Sequence, residues 1–235
     1  MCIRDRAKGL HPLQHRGAGI VEVNERLRAR SVVNAAIRST LDELGFVEVE
    51  TPILQRVHGG ANARPFKTRS NAANQDLYLR IAPELYLKRL LTQGAERVYE
   101  LGRVFRNEGV DATHNPEFTT VEAYEAHGDY ETMRVVAQRI IQAAATAYRG
   151  EPVVMDPQGN VVSIAGDFPV KTVYGAISEK VGQAVTPDTE FETLLELCAA
   201  NDIATQPGWD AGEIVQEIYE QLVECTTTTP TFYTG

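Results

Sequence analysis

The sequence predicts a mixed fold of strands and helices built around an antiparallel hairpin, and three observations carry that reading. Val33, Ile37, Leu41 and Leu44 recur at helical spacing and stop at Gly45, a suitable C-terminal breaker. Leu77, Leu79 and Ile81 alternate as a strand. Val98 to Asn107 and Glu117 to Ala126 read as two strands joined by a loop, with Arg106 near the end of the first.

The remaining elements follow in order. Residues 1–29 carry no pattern that assigns them to an element. Val47 and Val49 alternate with Glu48 and Glu50 as a short strand closed by Pro52. Pro83 suits the first turn of a helix that Gly94 ends. Asp129 can cap a long helix bearing Met133, Val136, Ile140 and Ala144. Beyond Gly150 the texture changes, which divides the chain into 1–29, 30–150 and 151–235. Val153 to Ile164, broken by Asp156-Pro157-Gln158-Gly159, reads as a hairpin. Helices follow near Val173–Val181, Glu190–Ala200 and Ala211–Glu224. The last has Asp210 and Glu213 in capping-box spacing and an Ile214, Ile218, Leu222 stripe.

A chain of 235 residues can bury a real core, and 43% hydrophobic with 23% charged residues is ordinary for a globular protein. A net charge of −9 means the chain as a whole does not attract nucleic acid, so any such contact must come from local basic patches. Arg80, Lys88, Arg89, Arg97, Arg103 and Arg106 form one basic stretch, although a solvated helix face explains most of them equally well. Cys2, Cys198 and Cys225 show no metal-binding or disulfide spacing, and Cys198 sits in an apolar run that suits a core. No apolar run is long enough to span a bilayer, and a reduced, cytoplasmic setting is the expected default.

The candidate site lies on the central hairpin. Phe118, Thr120, Glu122, Tyr124 and Ala126 share one face at period two. An aromatic ring, a carboxylate and a phenol on one face, with an arginine beside them, suit recognition of a nucleotide and a carboxylate. On composition alone, a salt-bridged surface hairpin fits these residues as well.

The segment Phe105-Arg106-Asn107-Glu108-Gly109, continued by His114-Asn115-Pro116-Glu117-Phe118-Thr119, resembles motif 2 of the class II aminoacyl-tRNA synthetases, in detail the lysine-specific branch. Gly45 to Pro52 resembles the end of motif 1. Gly59-Gly60-Ala61-Asn62-Ala63-Arg64-Pro65-Phe66 and Leu79 to Arg89 resemble the two segments between the motifs in lysine–tRNA ligases. The similarity runs from about Arg30 to Tyr130 and continues more weakly to Tyr233. It implies an α+β fold, an antiparallel sheet flanked by helices, with a helical insertion after motif 2 and a homodimer formed through the motif 1 region.

The resemblance also implies chemistry. The carboxylate of lysine attacks the α-phosphate of ATP, giving lysyl adenylate, and the lysyl group then passes to tRNA(Lys). Arg106 would be the catalytic residue, gripping both carboxylate and α-phosphate. Glu108 would accept from the adenine amino group, Phe118 would stack on the ring, and His114 and Asn115 would face the phosphates. Gly60 and Glu84 would hold the substrate α-amino group, while Glu122 and Tyr124 would approach the cationic end of the side chain. ATP and Mg2+ are the implied cofactors.

The chain ends at Pro230-Thr231-Phe232-Tyr233-Thr234-Gly235, before the family's third, glycine-rich motif with its arginine for the ATP γ-phosphate; the family's acidic magnesium ligands and another lysine-binding glutamate are expected in the same missing part. The anticodon-binding barrel is also absent. The expectation is therefore an incomplete catalytic domain, inactive alone, with no metal ligands in this chain. The first reading is a cytoplasmic lysine–tRNA ligase. An alternative is the actinobacterial fusion in which such a domain supplies lysyl-tRNA to a membrane lysyltransferase; Gly59–Phe66 and Trp209-Asp210-Ala211-Gly212 resemble those proteins closely. A paralogue that lysylates a translation factor fits less well, given the intact Gly59-Gly60-Ala61. A non-catalytic lysine-binding or dimerisation module is the last alternative. Aspartate and asparagine ligases share motif 2, but Glu122 would repel an acidic side chain.

Overall fold

The computed structural model describes residues 2–4, 20–111, 114–156 and 158–235. They fall into two compact units, Met1–Glu151 and Pro152–Gly235.

In the first unit, helix α1 (Ile20–Glu43) begins well before the apolar stripe that announces it. It ends where Gly45 turns left-handed at φ 79°, its N–H donating to the Asp42 carbonyl at 2.9 Å. A four-stranded sheet follows, in the order β1 (Cys2–Arg4), β7 (Glu117–Glu125), β6 (Arg97–Phe105), β2 (Val47–Glu48). Strand β6 runs antiparallel to β7, as expected; β1, which the sequence did not announce, pairs antiparallel on the other side of β7, and β2 joins β6 in parallel. A parallel pair needs a long connection. Here that connection carries a second, all-antiparallel sheet, β3 (Leu54–Gln55), β5 (Gln75–Leu79) and β4 (Lys67–Ser70), and helix α2 (Glu84–Thr92).

Period-two alternation gives the β6–β7 pair two unlike faces. Tyr99, Val121 and Ala123 pack with Leu41 of α1 and with Val136 and Ile140 of α3 (Tyr130–Arg149). Leu41 is fully buried, so truncating it to alanine would cost about 2–5 kcal/mol. The other face carries Glu100, Gly102, Thr120 and Glu122. The Tyr99 hydroxyl donates toward Asp42 and Glu48, both at 3.2 Å, and Arg38 forks onto both Glu48 oxygens at 2.9 and 3.0 Å. That network ties α1 to β2 and β6. Asp129 caps α3 by accepting from the Thr132 N–H at 2.9 Å.

The second unit opens with the expected hairpin, β8 (Val153–Met155) and β9 (Val161–Ser163). Strands β10 (Val170–Thr172) and β11 (Phe232–Thr234) pair in parallel. Helices α4 (Val173–Val181), α5 (Phe191–Ala200) and α6 (Ala211–Ile218) enclose Ile177, Leu194 and Ile214. Cys198 is buried in that core, and burial pushes its thiol pKa up, so it packs rather than reacts. Asp210 and Glu213 form the full capping box. The helix departs from expectation at its end. After Ile218 the chain widens into a π turn, Tyr219–Val223, then a 3₁₀ turn, Glu224–Thr226. The extra residue per turn shifts the apolar stripe, so Val223 takes the buried place that helical spacing assigns to Leu222.

Candidate active site

Three segments of the first unit meet at the end of β6. The Asn107 N–H donates to the Arg64 carbonyl at 2.7 Å, and the Arg64 N–H donates to Glu108 Oε1 at 3.3 Å. These bonds lace the Gly59–Phe66 segment to the hairpin end. The Phe105 N–H donates to the Arg80 carbonyl at 2.9 Å, and Arg106 Nε reaches the Ile81 carbonyl at 3.4 Å, which brings in the segment leading into α2. The Arg106 guanidinium stands 5.2 Å from the Phe118 ring centroid, within cation–π range. The hairpin does carry ion pairs, Arg97–Glu125 at 2.7 Å and Arg103–Glu117 at 3.5 Å, but among the described residues Arg106 makes none with Glu108.

Glu122 and Tyr124 are joined, the phenol donating to Glu122 Oε2 at 2.9 Å. Glu122 is 5% exposed, and among the described residues no basic side chain ion-pairs with it. Burial pushes its carboxyl pKa up, the Tyr124 hydrogen bond pulls it down, and the nearby Glu84 charge adds to the rise. The side chain is a desolvated carboxylate with acceptor capacity to spare.

Glu84 opens α2 and accepts from Lys88 Nζ at 2.8 Å; the same ammonium lies 5.9 Å from the Tyr124 ring centroid. Gly60 backs onto this helix start with φ 87°, and a Cβ there would stand 2.8 Å from Glu84 Cβ and 3.2 Å from Ala82 Cβ. Only glycine fits that approach. His114 and Asn115 sit across the hairpin turn. The His114 N–H donates to Asp111 Oδ1 at 2.8 Å and its ring pairs with Oδ2 at 2.7 Å, on an exposed surface. The structure thus gathers Gly60, Glu84, Glu122 and Tyr124 in one group and Arg106 with Phe118 in another, and sets Glu108 and His114 at the exposed turn.

Sequence reasoning missed Arg80. It is not on a solvated face but 2% exposed, ion-paired with Glu100 beneath the site. A signal was present: Glu100 and Gly102 alternate with Tyr99 and Leu101, so a charge faces inward where a plain core would place an apolar residue. Among the described residues, no group of three or more His, Cys, Asp or Glu side chains is arranged to hold a metal ion. The Mg2+ implied by the resemblance has no such cradle among them.

A glycine-backed helix start, an arginine closing an antiparallel hairpin and a buried acid on that hairpin's inner face define a class II synthetase domain. The sequence matches the family tRNA synthetases class II (D, K and N) over residues 19–230, and the chain belongs to that family. Among curated relatives, the lysylphosphatidylglycerol biosynthesis bifunctional protein LysX of Gordonia bronchialis is 52% identical over 252 residues, covering 98% of this chain and 22% of the relative. The LysX of Mycolicibacterium vanbaalenii is 56% identical over 216 residues, covering 90% of this chain and 20% of the relative. That of Mycobacterium tuberculosis is 48% identical over 254 residues, with 96% and 22% covered. The chain therefore spans about a fifth of the length of these relatives. Of the two leading expectations, these relatives favour the lysyltransferase fusion over the free-standing ligase. Among the described residues, no helix is long and apolar enough to cross a membrane.

Proposed function

We propose that this chain is a lysine-activating synthetase domain of a bifunctional lysylphosphatidylglycerol-forming protein. It binds ATP and L-lysine, forms lysyl adenylate, and passes the lysyl group to tRNA(Lys) with release of AMP, and the resulting lysyl-tRNA is the donor for a membrane lysyltransferase. The observation that carries this reading is Glu122, a buried carboxylate hydrogen-bonded to Tyr124 and lacking a cation of its own among the described residues. A substrate ammonium supplies the missing partner, and a neutral side chain of similar length leaves the carboxylate unpaired.

The other roles follow from position. Glu84 takes the substrate α-ammonium, which exchanges with Lys88, and the Gly60 backbone borders it. Arg106 offers its fork to the substrate carboxylate and the α-phosphate, drawing nucleophile and electrophile together and neutralising charge at phosphorus. The carboxylate oxygen forms a bond to phosphorus as the bond to pyrophosphate breaks. Losing Arg106 removes on the order of 3 kcal/mol of transition-state stabilisation. Phe118 stacks on adenine, Glu108 accepts from its amino group, and His114 and Asn115 face the phosphates. A homodimer through α1 and β2, and tRNA(Lys) as acceptor, complete the proposal.

The test is lysine-dependent ATP–pyrophosphate exchange by the product of the whole reading frame, with calorimetric titration of lysine, arginine, glutamine and aspartate. Selective lysine binding with exchange supports the reading. Preference for aspartate, or exchange indifferent to lysine, overturns it. Membrane-spanning segments in the same frame separate the fusion from a free-standing ligase.

A further inference from the structure

Arg80 stands immediately after β5 and is almost wholly enclosed. Its Nε donates to the Arg103 carbonyl at 2.8 Å, and its Nη1 donates to the Thr51 carbonyl and hydroxyl at 3.2 and 3.0 Å and to Glu100 Oε1. The second Glu100 oxygen accepts from the Thr51 N–H at 3.1 Å and from its hydroxyl at 2.6 Å. Room for the guanidinium exists because residue 102 is glycine: a Cβ there would lie 2.5 Å from Arg80 Nη2 and 3.3 Å from Glu100 Oε1. Nearly every polar atom of this cluster is engaged.

Its position gives it a consequence. In the β6–β7 register Glu100 lies directly opposite Glu122, and both are 5% exposed. Two like charges facing each other across a strand pair are destabilising, the more so when desolvated. The arrangement separates them. Glu100 is drawn toward Gly102 and Arg80, and Glu122 toward Tyr124. Gly102 is in register with Thr120 and Tyr124 with Val98, so the two carboxylates are pulled to opposite ends of the pair. Among the described residues, the groups facing Glu122 are Tyr124 on its own strand, Glu100 across the pair, Arg106 beyond β6 and Glu84 on α2, while β1 pairs on its other side with Cys2 in register.

We propose that Arg80 is a positioning residue that holds and neutralises Glu100, so that, among the described residues, Glu122 is the one carboxylate of the strand pair without an ion pair of its own and is left to meet a cationic side chain. This rests on the lysine-site reading of Glu122, and it deepens that reading by naming what fixes the pocket's charge. It acts without touching the substrate.

The decisive experiment has one arm that uses no ligand. In whole-frame protein labelled with carboxyl-13C glutamate, the Glu122 resonance, assigned by its loss in E122Q, is titrated in the parent, R80M, E100Q and R80M/E100Q. The expected result is a Glu122 midpoint raised by about one unit in R80M, lowered in E100Q, where the Arg80 charge is no longer cancelled, and near the parent in the double variant. In the second arm, lysine affinity below that midpoint falls about tenfold in R80M and recovers in R80M/E100Q, although the bonds to Thr51 and Arg103 stay lost. A merely structural Arg80 predicts no recovery. Should R80M fail to fold, the downward shift in E100Q alone decides. Unmoved midpoints in E100Q overturn the charge-setting role, whatever lysine does. If the midpoints move as stated but the parent ignores lysine, the functional reading falls and the role of Arg80 stands.

Discussion

Replacing Glu122 by glutamine (E122Q) deletes one negative charge from a buried position while nearly preserving shape, and it separates what this residue does for the fold from what it does for a ligand. The parent carboxylate receives one described side-chain hydrogen bond, from Tyr124 at 2.9 Å, which the glutamine carbonyl can still accept. An ammonium bound there loses a desolvated, charge-assisted partner, and truncating such a pair costs about 2–5 kcal/mol. At about 1.4 kcal/mol per tenfold, the lysine Kd should weaken by roughly 30-fold to several-thousand-fold, with ATP affinity unaltered. Stability should move the other way. The folded-state pKa of Glu122 lies above its unfolded value, so between the two the native state holds more protons. The contribution of Glu122 is therefore most favourable at low pH and is lost as pH rises from the ordinary carboxylate range through the raised folded value. E122Q should melt higher than the parent at neutral pH, and the difference should vanish in acid, where both side chains are neutral. Calorimetric lysine titration and melting curves across pH 4 to 8 are the assay. A lysine Kd within threefold of the parent, or a variant that melts lower at neutral pH, would refute the assignment.

Three further outcomes are expected. G60A forces a Cβ to within 2.8 Å of Glu84 Cβ at a left-handed backbone position that costs about 1–2 kcal/mol in itself, so lysine affinity should fall about tenfold or more with ATP affinity spared; equal losses of both would count against it. F118A should weaken ATP binding by about 1–3 kcal/mol while leaving lysine binding without ATP nearly unchanged, measured by separate titrations. D210A removes the cap on α6 and should lower the denaturation stability of the second unit by about 0.5–2 kcal/mol without altering lysine affinity, and a change in affinity would contradict that.

What was legible in the sequence was whatever a few neighbouring residues decide. Asp129 and Asp210 cap because the acceptor and its N–H are three residues apart, and Gly45 and Gly150 end helices because the backbone turns left-handed there. The face holding Phe118, Glu122 and Tyr124 follows from period two alone. What was not legible depends on distant pairings. Arg80 reads as one more basic residue until Thr51 and the β6 residues Glu100 and Arg103 close round it from roughly twenty to thirty residues away. The early start of α1 hides in a helix with little amphipathic pattern, and the π turn after Ile218 is invisible to any fixed period. The fusion was legible as an alternative in Gly59–Phe66 and Trp209-Asp210-Ala211-Gly212, but the residues of the site serve a free-standing ligase equally well and do not decide between them.

The packing of α1 against α3 also bears on how the chain is made. The β6–β7 hairpin closes on itself within a short stretch and needs nothing else to form early. The apolar side of α1, with Leu41, meets Tyr99 and Val121 of that hairpin but is closed only by Val136 and Ile140, roughly a hundred residues later in the chain. At about 5–20 residues per second, a ribosome leaves that stripe incompletely covered for roughly 5–20 s. The first helix is therefore exposed to chaperones and to wrong partners during synthesis, and slowing translation between Phe46 and Val136 should lower the soluble yield more than slowing it after Gly150.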